Sequence, residues 1–122
     1  MKASGEQDLS SFSMLDLFRQ EAETQTAILN ECLLALEQEP GSPGRLAAIM
    51  RAAHSLKGAA RIVNRDAAVK IAHALEDCFV AAQKGEVMIS PAAVDVCLGG
   101  VDMLLQIARV PEAEMDAWQL AR

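Results

Sequence analysis

Apolar residues recur every three or four positions along several long stretches of the chain, with polar residues between them. That spacing is typical of amphipathic α-helices, whereas a half-buried strand would alternate strictly. The first stretch predicts a helix over about residues 12–38, with Ser10, Ser11 and Ser13 as candidate caps. Residues 1–9 lack the pattern, and we expect them to form a flexible leader. The apolar positions of this helix are Leu15, Phe18, Ala22, Leu29, Leu33 and Leu36.

A clear break follows the first helix. Residues 40–44 read PGSPG, and clustered proline and glycine end helices. Ser42 and Pro43 then predict a second helix over about residues 43–63, because serine is a favoured cap and proline is favoured in the first helical position. Asn64 is the predicted exit residue, since asparagine tolerates a positive φ angle better than most residues.

Two further helices are predicted by similar signals. Asp66 is the candidate cap of a third helix over about residues 67–84, which stops at Gly85. The pair Ser90-Pro91 repeats the cap-and-proline start and predicts a fourth helix over about residues 91–109.

Four helices joined by short connections predict an all-α fold, an up-down-up-down four-helix bundle over residues 10–110. Pro111 opens a segment, residues 111–122, that forms either a short fifth C-terminal helix or the start of a linker. Gly99 and Gly100 lie inside the fourth helix, where each costs about 1 kcal/mol relative to alanine. We therefore expect a close backbone contact or a kink at these glycines.

Composition narrows the class of protein. The chain has 122 residues, 52% of them apolar but only 3% aromatic, which suits a single domain of closely packed helices. Its formal net charge of -6 disfavours nucleic acid as a partner. We expect no membrane insertion, since no apolar run approaches the roughly 18 residues required. The N-terminus has no apolar signal core, which indicates a cytoplasmic protein. Cys32, Cys78 and Cys97 lie on apolar stripes and are predicted to be buried free thiols.

The second helix carries an unusual polar face. On a helical wheel His54 lies almost opposite the centre of the apolar stripe, so it is not a core histidine. It is either an ordinary solvated residue or a reactive one. Gly58, one turn further on, costs helix stability but leaves space for a partner to approach the imidazole. The flanking cations Arg51, Lys57 and Arg61 suit a phosphate or an acidic surface, and the wheel also places Arg65 around His54.

The third helix has a matching polar face. His73 and Glu76 are three residues apart and so lie side by side on it. An antiparallel hairpin of helices two and three would bring them beside His54. Glu76 would then accept a hydrogen bond from Nδ1–H of His54 and leave Nε2 as an unprotonated nucleophile, and Lys57 would face the charge of an arriving phosphoryl group. The alternative for His73 and Glu76 is a solvated polar face without a specific role.

These residues carry a resemblance. The segment 53–59, AHSLKGA, resembles the signature of histidine phosphotransfer (HPt) domains, and the longer string RAAHSLKGAARIV at 51–63 is most similar to the N-terminal domains of CheA-type chemotaxis histidine kinases. A second match is HALED at 73–77, and the resemblance spans roughly residues 12–108. Within these kinases the chain also resembles the Wsp-type surface-sensing kinases.

The resemblance implies roles for particular residues. His54 would be the phosphoacceptor, and Lys57, His73 and Glu76 would be its hydrogen-bonding network. Gly58 would be the clearance that lets a partner reach the ring. We expect Arg51 and Arg61 to contact a partner, although many relatives have a small residue in place of Arg61.

The resemblance also implies a function. An ATP-binding kinase domain would phosphorylate His54, and an aspartate of a response-regulator receiver domain would then take the phosphoryl group. We expect no cofactor in this domain, because ATP and Mg²⁺ would come with those partners. The isolated chain would not be an enzyme, whereas the parent protein would be a histidine protein kinase. A stand-alone phosphorelay protein is the alternative.

Two functions of other classes stay open. His73-x-x-Glu76 with His54 nearby could ligate a metal ion, although helical-bundle metal sites use repeated Glu-x-x-His pairs that project into the core. The chain has one such pair, in reversed order and on the polar side. The other alternative is a helical interaction module without any chemistry.

Overall fold

The computed structural model describes the backbone of residues 2–120 and the side chains of residues 14–120 other than 112, 116 and 119. Within these residues it contains helices and no strand. They are α1 (Lys2–Gln38), α2 (Pro43–Ile62), α3 (Asp66–Gln83), α4 (Pro91–Arg109), a single 3₁₀ turn (Glu112–Glu114) and α5 (Met115–Leu120). Each of the four long helices packs on the next, and α4 packs back on α1. This closed ring confirms the predicted four-helix bundle.

Local signals in the sequence set most of the helix ends. The Ser42 hydroxyl accepts a hydrogen bond from the backbone N–H of Arg45 at 3.4 Å, and the Ser90 hydroxyl accepts one from that of Ala93 at 3.1 Å. Asn64 has a φ angle of 59° and so turns the chain between α2 and α3. Gly85 has a φ angle of 77°, which glycine adopts without a steric penalty. These four predictions are confirmed.

Two predicted helix starts were wrong. The cap position of α3 is occupied by Arg65, whose side chain makes no capping hydrogen bond, and Asp66 is the first residue of the helix proper. There its charge still favours the positive end of the helix dipole. Helix α1 begins at Lys2, so residues 2–9 are helical where the pattern predicted a flexible leader. No proline interrupts this segment, and helix propensity does not require an apolar stripe.

The core is built largely from small and aliphatic side chains. In α1 the predicted stripe is buried from Phe18 to Leu36, and Thr26 fills the gap in it. The Thr26 hydroxyl donates to the carbonyl oxygen of Glu23 at 3.4 Å, which satisfies this buried polar group. Three buried alanines in α2 bring neighbouring helices close together; they are Ala52, Ala53 and Ala60. The tight side of α2 therefore faces the core and leaves its polar face outside.

The glycines of α4 are not required by packing. A Cβ atom added at Gly99 would meet open space, and one at Gly100 would lie 3.6 Å from Cδ2 of Leu75, an ordinary van der Waals distance. The helix also runs without interruption from Pro91 to Arg109. The prediction that a close backbone contact demands these glycines was wrong, because alanine would fit at both positions.

Helix α4 is also more apolar than the sequence pattern suggested. It is long and apolar enough to cross a membrane by length and composition alone, with a mean hydropathy of 1.4. The expectation that no segment approaches that limit was therefore wrong. In the bundle α4 is a core helix, and its apolar stripe is buried against the other helices at Val94, Cys97, Val101, Leu104 and Ile107.

Candidate functional site

The buried face of α2 determines where His54 points. Ala53, directly before His54, and Leu56, two residues after it, are buried in the core. Because successive residues of a helix are 100° apart, His54 is directed away from the core, and 68% of its side chain is exposed. The imidazole is therefore held on a rigid helix and is accessible from solvent.

Helix α3 places a carboxylate against this imidazole. Helix α3 packs more extensively on α2 than on any other element, and it brings Oε2 of Glu76 to 2.7 Å from Nδ1 of His54. An ionised carboxylate can only accept hydrogen bonds, so Nδ1 carries the proton and donates the hydrogen bond to Glu76. The lone pair then remains on Nε2, and the ring is poised to act as a nucleophile through that atom.

Lys57 completes the cluster through Glu76. Its Nζ donates a hydrogen bond to Oε1 of Glu76 at 2.5 Å, and the two side chains are only 13% and 15% exposed. The Lys57 ammonium, and next the hydrogen bond from His54, lower the pKa of Glu76 below its ordinary value of 4.5, although partial burial acts in the opposite direction. Glu76 is thus a stable anion at neutral pH. Lys57 was expected to face an incoming phosphoryl group, but here its ammonium binds the carboxylate that orients His54.

His73 lies on the same face of α3 but has a different neighbour. Its Nε2 is 3.3 Å from Oδ2 of Asp77, one turn further along, and both side chains are mostly exposed. Among the described contacts the structure does not join His73 to His54 or Glu76. The predicted network therefore forms through three of its four residues, and a role for His73 stays a prediction. The spacing of four residues between His73 and Asp77 was the signal for this pair.

The remaining predicted residues surround His54 on the outer face of α2. Gly58 is exposed, and a Cβ atom there would meet nothing within 4 Å. Arg51 and Arg61 are exposed as well. The structure therefore leaves an open, positively charged surface on α2 beside the imidazole.

Arg65 is the exception among the cations that the helical wheel placed near His54. It is only 2% exposed, and its Nη1 donates to the carbonyl oxygens of Ile107 at 2.8 Å and Val110 at 2.6 Å. A long side chain in the turn between α2 and α3 reaches the C-terminal end of α4, where a cation is favoured by the helix dipole. A wheel drawn for one helix cannot show this contact.

The metal alternative requires a group of side chains that can act as ligands. Across residues 14–120, apart from 112, 116 and 119, no three or more His, Cys, Asp or Glu side chains are grouped so that they could hold a metal ion.

Comparison with known proteins decides the family. A model of the family described as "Hpt domain" matches residues 13–113. The chain belongs to the Hpt domain family. A solved relative, the CheA phosphotransferase domain from Thermotoga maritima, has a TM-score of 0.74 and 31% sequence identity over 77% of this chain and 90% of that one.

Chemotaxis kinases with a related sequence support the same family assignment. The Hpt chain is 32% identical over 100 residues to the chemotaxis protein CheA of Borreliella burgdorferi, which covers 82% of this chain and 12% of that protein. It is 34% identical over 76 residues to the sensor histidine kinase CheAY of Helicobacter pylori, over 62% of this chain and 10% of that protein. The chain thus spans only about a tenth to an eighth of the length of these relatives.

These findings confirm that the chain is a histidine phosphotransfer domain homologous to the phosphotransfer regions of CheA proteins. An Hpt domain is a phosphotransfer module and not a catalytic kinase domain. The narrower resemblance to Wsp-type kinases stays a prediction, and so do the roles of individual site residues.

Proposed function

We propose that His54 is the phosphoacceptor of this Hpt domain and that Nε2 is the atom that carries the phosphoryl group. The contact of 2.7 Å between Nδ1 of His54 and Glu76 is the observation on which this proposal rests. It holds the proton on Nδ1 and leaves Nε2 with its lone pair, which is what attack on phosphorus requires. A carboxylate orients the imidazole of a serine-protease triad by the same kind of bond.

The first transfer takes the phosphoryl group from ATP bound to a kinase domain. The Nε2 lone pair forms a bond to the γ-phosphorus while the bond from phosphorus to the bridging oxygen breaks and ADP leaves. The ring gains a positive charge, which Glu76 stabilises through Nδ1–H. Transfer of this kind depends mainly on positioning and electrostatics, and a rigid helix with an oriented imidazole supplies both.

The second transfer passes the group to an aspartate of a response-regulator receiver domain. A carboxylate oxygen of that aspartate attacks phosphorus, the bond from phosphorus to nitrogen breaks, and its electron pair returns to Nε2. Gly58 supports this step because it leaves the space beside the ring open. Arg51 and Arg61 are the cations that we expect to meet the acidic surface of the receiver. ATP and Mg²⁺ are supplied by the two partners.

The parent protein is, in this proposal, a cytoplasmic histidine protein kinase of the CheA type. Its support is that the relatives are CheA proteins, and that the matched region makes up only about a tenth to an eighth of their length. A stand-alone phosphorelay protein is the alternative, and the full reading frame of the gene decides between them.

Labelling from ATP tests the proposed phosphoacceptor. The chain contains two histidines, so His54→Gln and His73→Gln form a matched pair. With an active CheA-type kinase domain and radiolabelled ATP, we expect wild type and His73→Gln to gain an acid-labile, base-stable label and His54→Gln to gain none. Label that persists in His54→Gln and disappears in His73→Gln would move the site to α3. No label in any variant would favour a helical interaction module.

A further inference from the structure

Two cysteines that the phosphotransfer chemistry does not use meet between α3 and α4. Cys97 of α4 is buried, Cys78 of α3 is half-buried, and neither forms a disulfide in the structure. Cys78 lies close enough to Cys97 to act on its thiol, and this proximity adds to burial in raising the pKa of Cys97 to about 11. Burial is the larger of these causes.

Packing of the two helices supports this juxtaposition independently. The backbone of Gly100 faces Leu75, since a Cβ atom there would lie 3.6 Å from Cδ2 of that leucine. Cys97 lies three residues before Gly100 on α4, and Cys78 lies three residues after Leu75 on α3. Each cysteine is therefore about one turn away from the Gly100–Leu75 contact on the same face of its helix. Adjacent helices in the bundle are antiparallel, and these two positions therefore oppose each other across the interface.

Helix α4 presents a glycine to α3 one turn from Cys97. Gly100 has no side chain, and a Cβ atom there would lie 3.6–3.8 Å from the side chains of Leu75 and Ile71 on α3. A disulfide requires Cα atoms within about 4.4–6.8 Å of each other, and small residues allow helices to approach closely.

We propose that Cys78 and Cys97 are an oxidation site at which a peroxide forms an intramolecular disulfide that cross-links α3 to α4. Cys78 is the more exposed thiol and reacts first: its sulfur attacks one peroxide oxygen, the O–O bond breaks, and a sulfenic acid and water form for hydrogen peroxide. The Cys97 sulfur then attacks the Cys78 sulfur, the S–O bond breaks, and a second water leaves. Two thiols lose two electrons in total, and one peroxide gains them.

Peptide mapping of the full chain after treatment with hydrogen peroxide tests the proposal. Trypsin cleaves after Lys70, Lys84 and Arg109, which places the two cysteines in the separate peptides 71–84 and 85–109. We expect these peptides to be joined in the oxidised protein, with the loss of two hydrogen atoms in mass, and to separate on reduction. Cys32, in the peptide 20–45, should stay a free thiol.

Alanine variants provide the controls, because alanine keeps the helices and leaves no polar group in the core. Cys32→Ala should form the cross-link like wild type, whereas Cys78→Ala and Cys97→Ala should not form it. Circular dichroism of the reduced variants checks that each is folded. Oxidation that stops at a sulfinic acid on Cys78, or that joins two chains through Cys78, would overturn the proposal.

The cross-link has a consequence that rests on the proposed function. Cys78 follows Glu76 by two residues, so a disulfide that draws this turn of α3 toward α4 displaces the carboxylate that orients His54 on α2. We expect the oxidised chain to accept a phosphoryl group severalfold more slowly than the reduced chain, with full recovery after reduction. Labelling of the reduced chain tests the proposed function itself. If the reduced chain is labelled and the cross-linked chain is labelled at the same rate, the link to the site is wrong.

Discussion

At the scale of single residues, Glu76 is the group on which the state of the imidazole depends. It receives one hydrogen bond from His54 and one from Lys57. Glu76→Ala removes the acceptor for Nδ1–H, so that the ring is no longer held in one tautomer and orientation. A hydrogen bond to a charged group contributes about 1.5–3 kcal/mol, and we expect phosphorylation to slow by about 10- to 100-fold without being abolished.

Initial rates of label incorporation measure this effect, and the exposed neighbour Asp77 supplies the control. Asp77→Ala removes a carboxylate from the same turn of α3 without touching His54. We expect its rate to stay close to that of wild type. Equal rates for Glu76→Ala and wild type would remove Glu76 from the mechanism.

The same carboxylate makes stability depend on pH. The pKa of Glu76 is lowered below 4.5 in the folded chain, first by Lys57 and then by His54. The folded state therefore favours the ionised form, and this contribution is complete above pH 4.5 and is lost as the pH falls through the lowered pKa. We expect wild type to exceed Glu76→Gln in unfolding free energy by about 1 kcal/mol near neutral pH, and by much less in acid.

Urea denaturation of both proteins at neutral and at acidic pH measures the difference. The other carboxylates are present in both proteins, so their contributions to the difference in unfolding free energy cancel. A difference that grows in acid would show that the pKa of Glu76 is raised and not lowered.

Gly58 is the position where we expect a loss of helix stability to be offset by easier access of a partner to His54. A Cβ atom there meets no other atom of the fold, so the fold itself does not require glycine. Gly58→Ala should therefore stabilise the domain by about 0.5–1 kcal/mol, because glycine is a poor helix former. Gly58→Gln should remain folded but transfer its phosphoryl group more slowly, since the longer side chain occupies the approach to Nε2.

Thermal unfolding and the rate of transfer to a receiver domain separate these two effects. We expect the melting temperature to rise in Gly58→Ala while the transfer rate falls in Gly58→Gln. An unchanged transfer rate in Gly58→Gln would mean that partners approach the ring from another side.

At the scale of helices, Arg65 links three elements. It precedes α3 directly, and it donates hydrogen bonds to the last carbonyl groups of α4. Arg65→Met keeps much of the apolar length of the side chain but removes the charge and the donors. We expect a loss of about 2–3 kcal/mol in unfolding free energy, since the carbonyl oxygens of Ile107 and Val110 lose a charged donor.

Chemical denaturation checks this value, and Arg61→Met is the control with the same exchange at an exposed position of α2. Exposed substitutions usually change stability by less than about 0.5 kcal/mol. Equal losses in the two variants would show that the contact with α4 does not stabilise the bundle.

Comparison of Arg65 with His54 shows what the sequence can and cannot predict. The four helices, the caps at Ser42 and Ser90 and the outward direction of His54 all follow from local patterns, and so does the meeting of His54 with Glu76 once a hairpin is assumed. Arg65 was placed on the polar face because a helical wheel has no information about the end of a neighbouring helix. The sequence grouped His73 with Glu76, but it could not show that Asp77, on the same face at an equally favourable spacing, is the neighbour of His73 in the structure.

The residue contacts between α3 and α4 could not be predicted from the sequence either. Gly100 and Cys97 could be assigned to α4 from its periodicity, but which residues of α3 they face depends on the relative shift of two helices. Only the folded bundle supplies that shift. The start of α1 at Lys2 is a different case. The missing apolar pattern in residues 1–9 predicted a flexible leader, whereas the helix propensity of these residues allows a helix.

At the scale of the whole molecule, the charge distribution is uneven. The chain has a formal net charge of -6, yet Arg51 and Arg61 are exposed on the helix that carries His54. An acidic partner is therefore repelled by the molecule as a whole and attracted at this face. Such a local field orients the encounter and increases the rate of association more than it increases affinity.

Charge reversal at these arginines tests whether this field guides the receiver domain. Arg51→Glu and Arg61→Glu each change the net charge by two. Lys84→Glu does the same at the exposed C-cap of α3, eight residues beyond Glu76. We expect the two arginine variants to transfer severalfold more slowly to the receiver at low ionic strength, and Lys84→Glu to be nearly unaffected. The differences should shrink as salt is added, because screening reduces the range of the field to about 3 Å at 1 M ionic strength. Stopped-flow or rapid-quench transfer rates over a series of salt concentrations measure both effects. If all three variants slow transfer equally, only the net charge matters, and Arg51 and Arg61 do not form a specific contact surface.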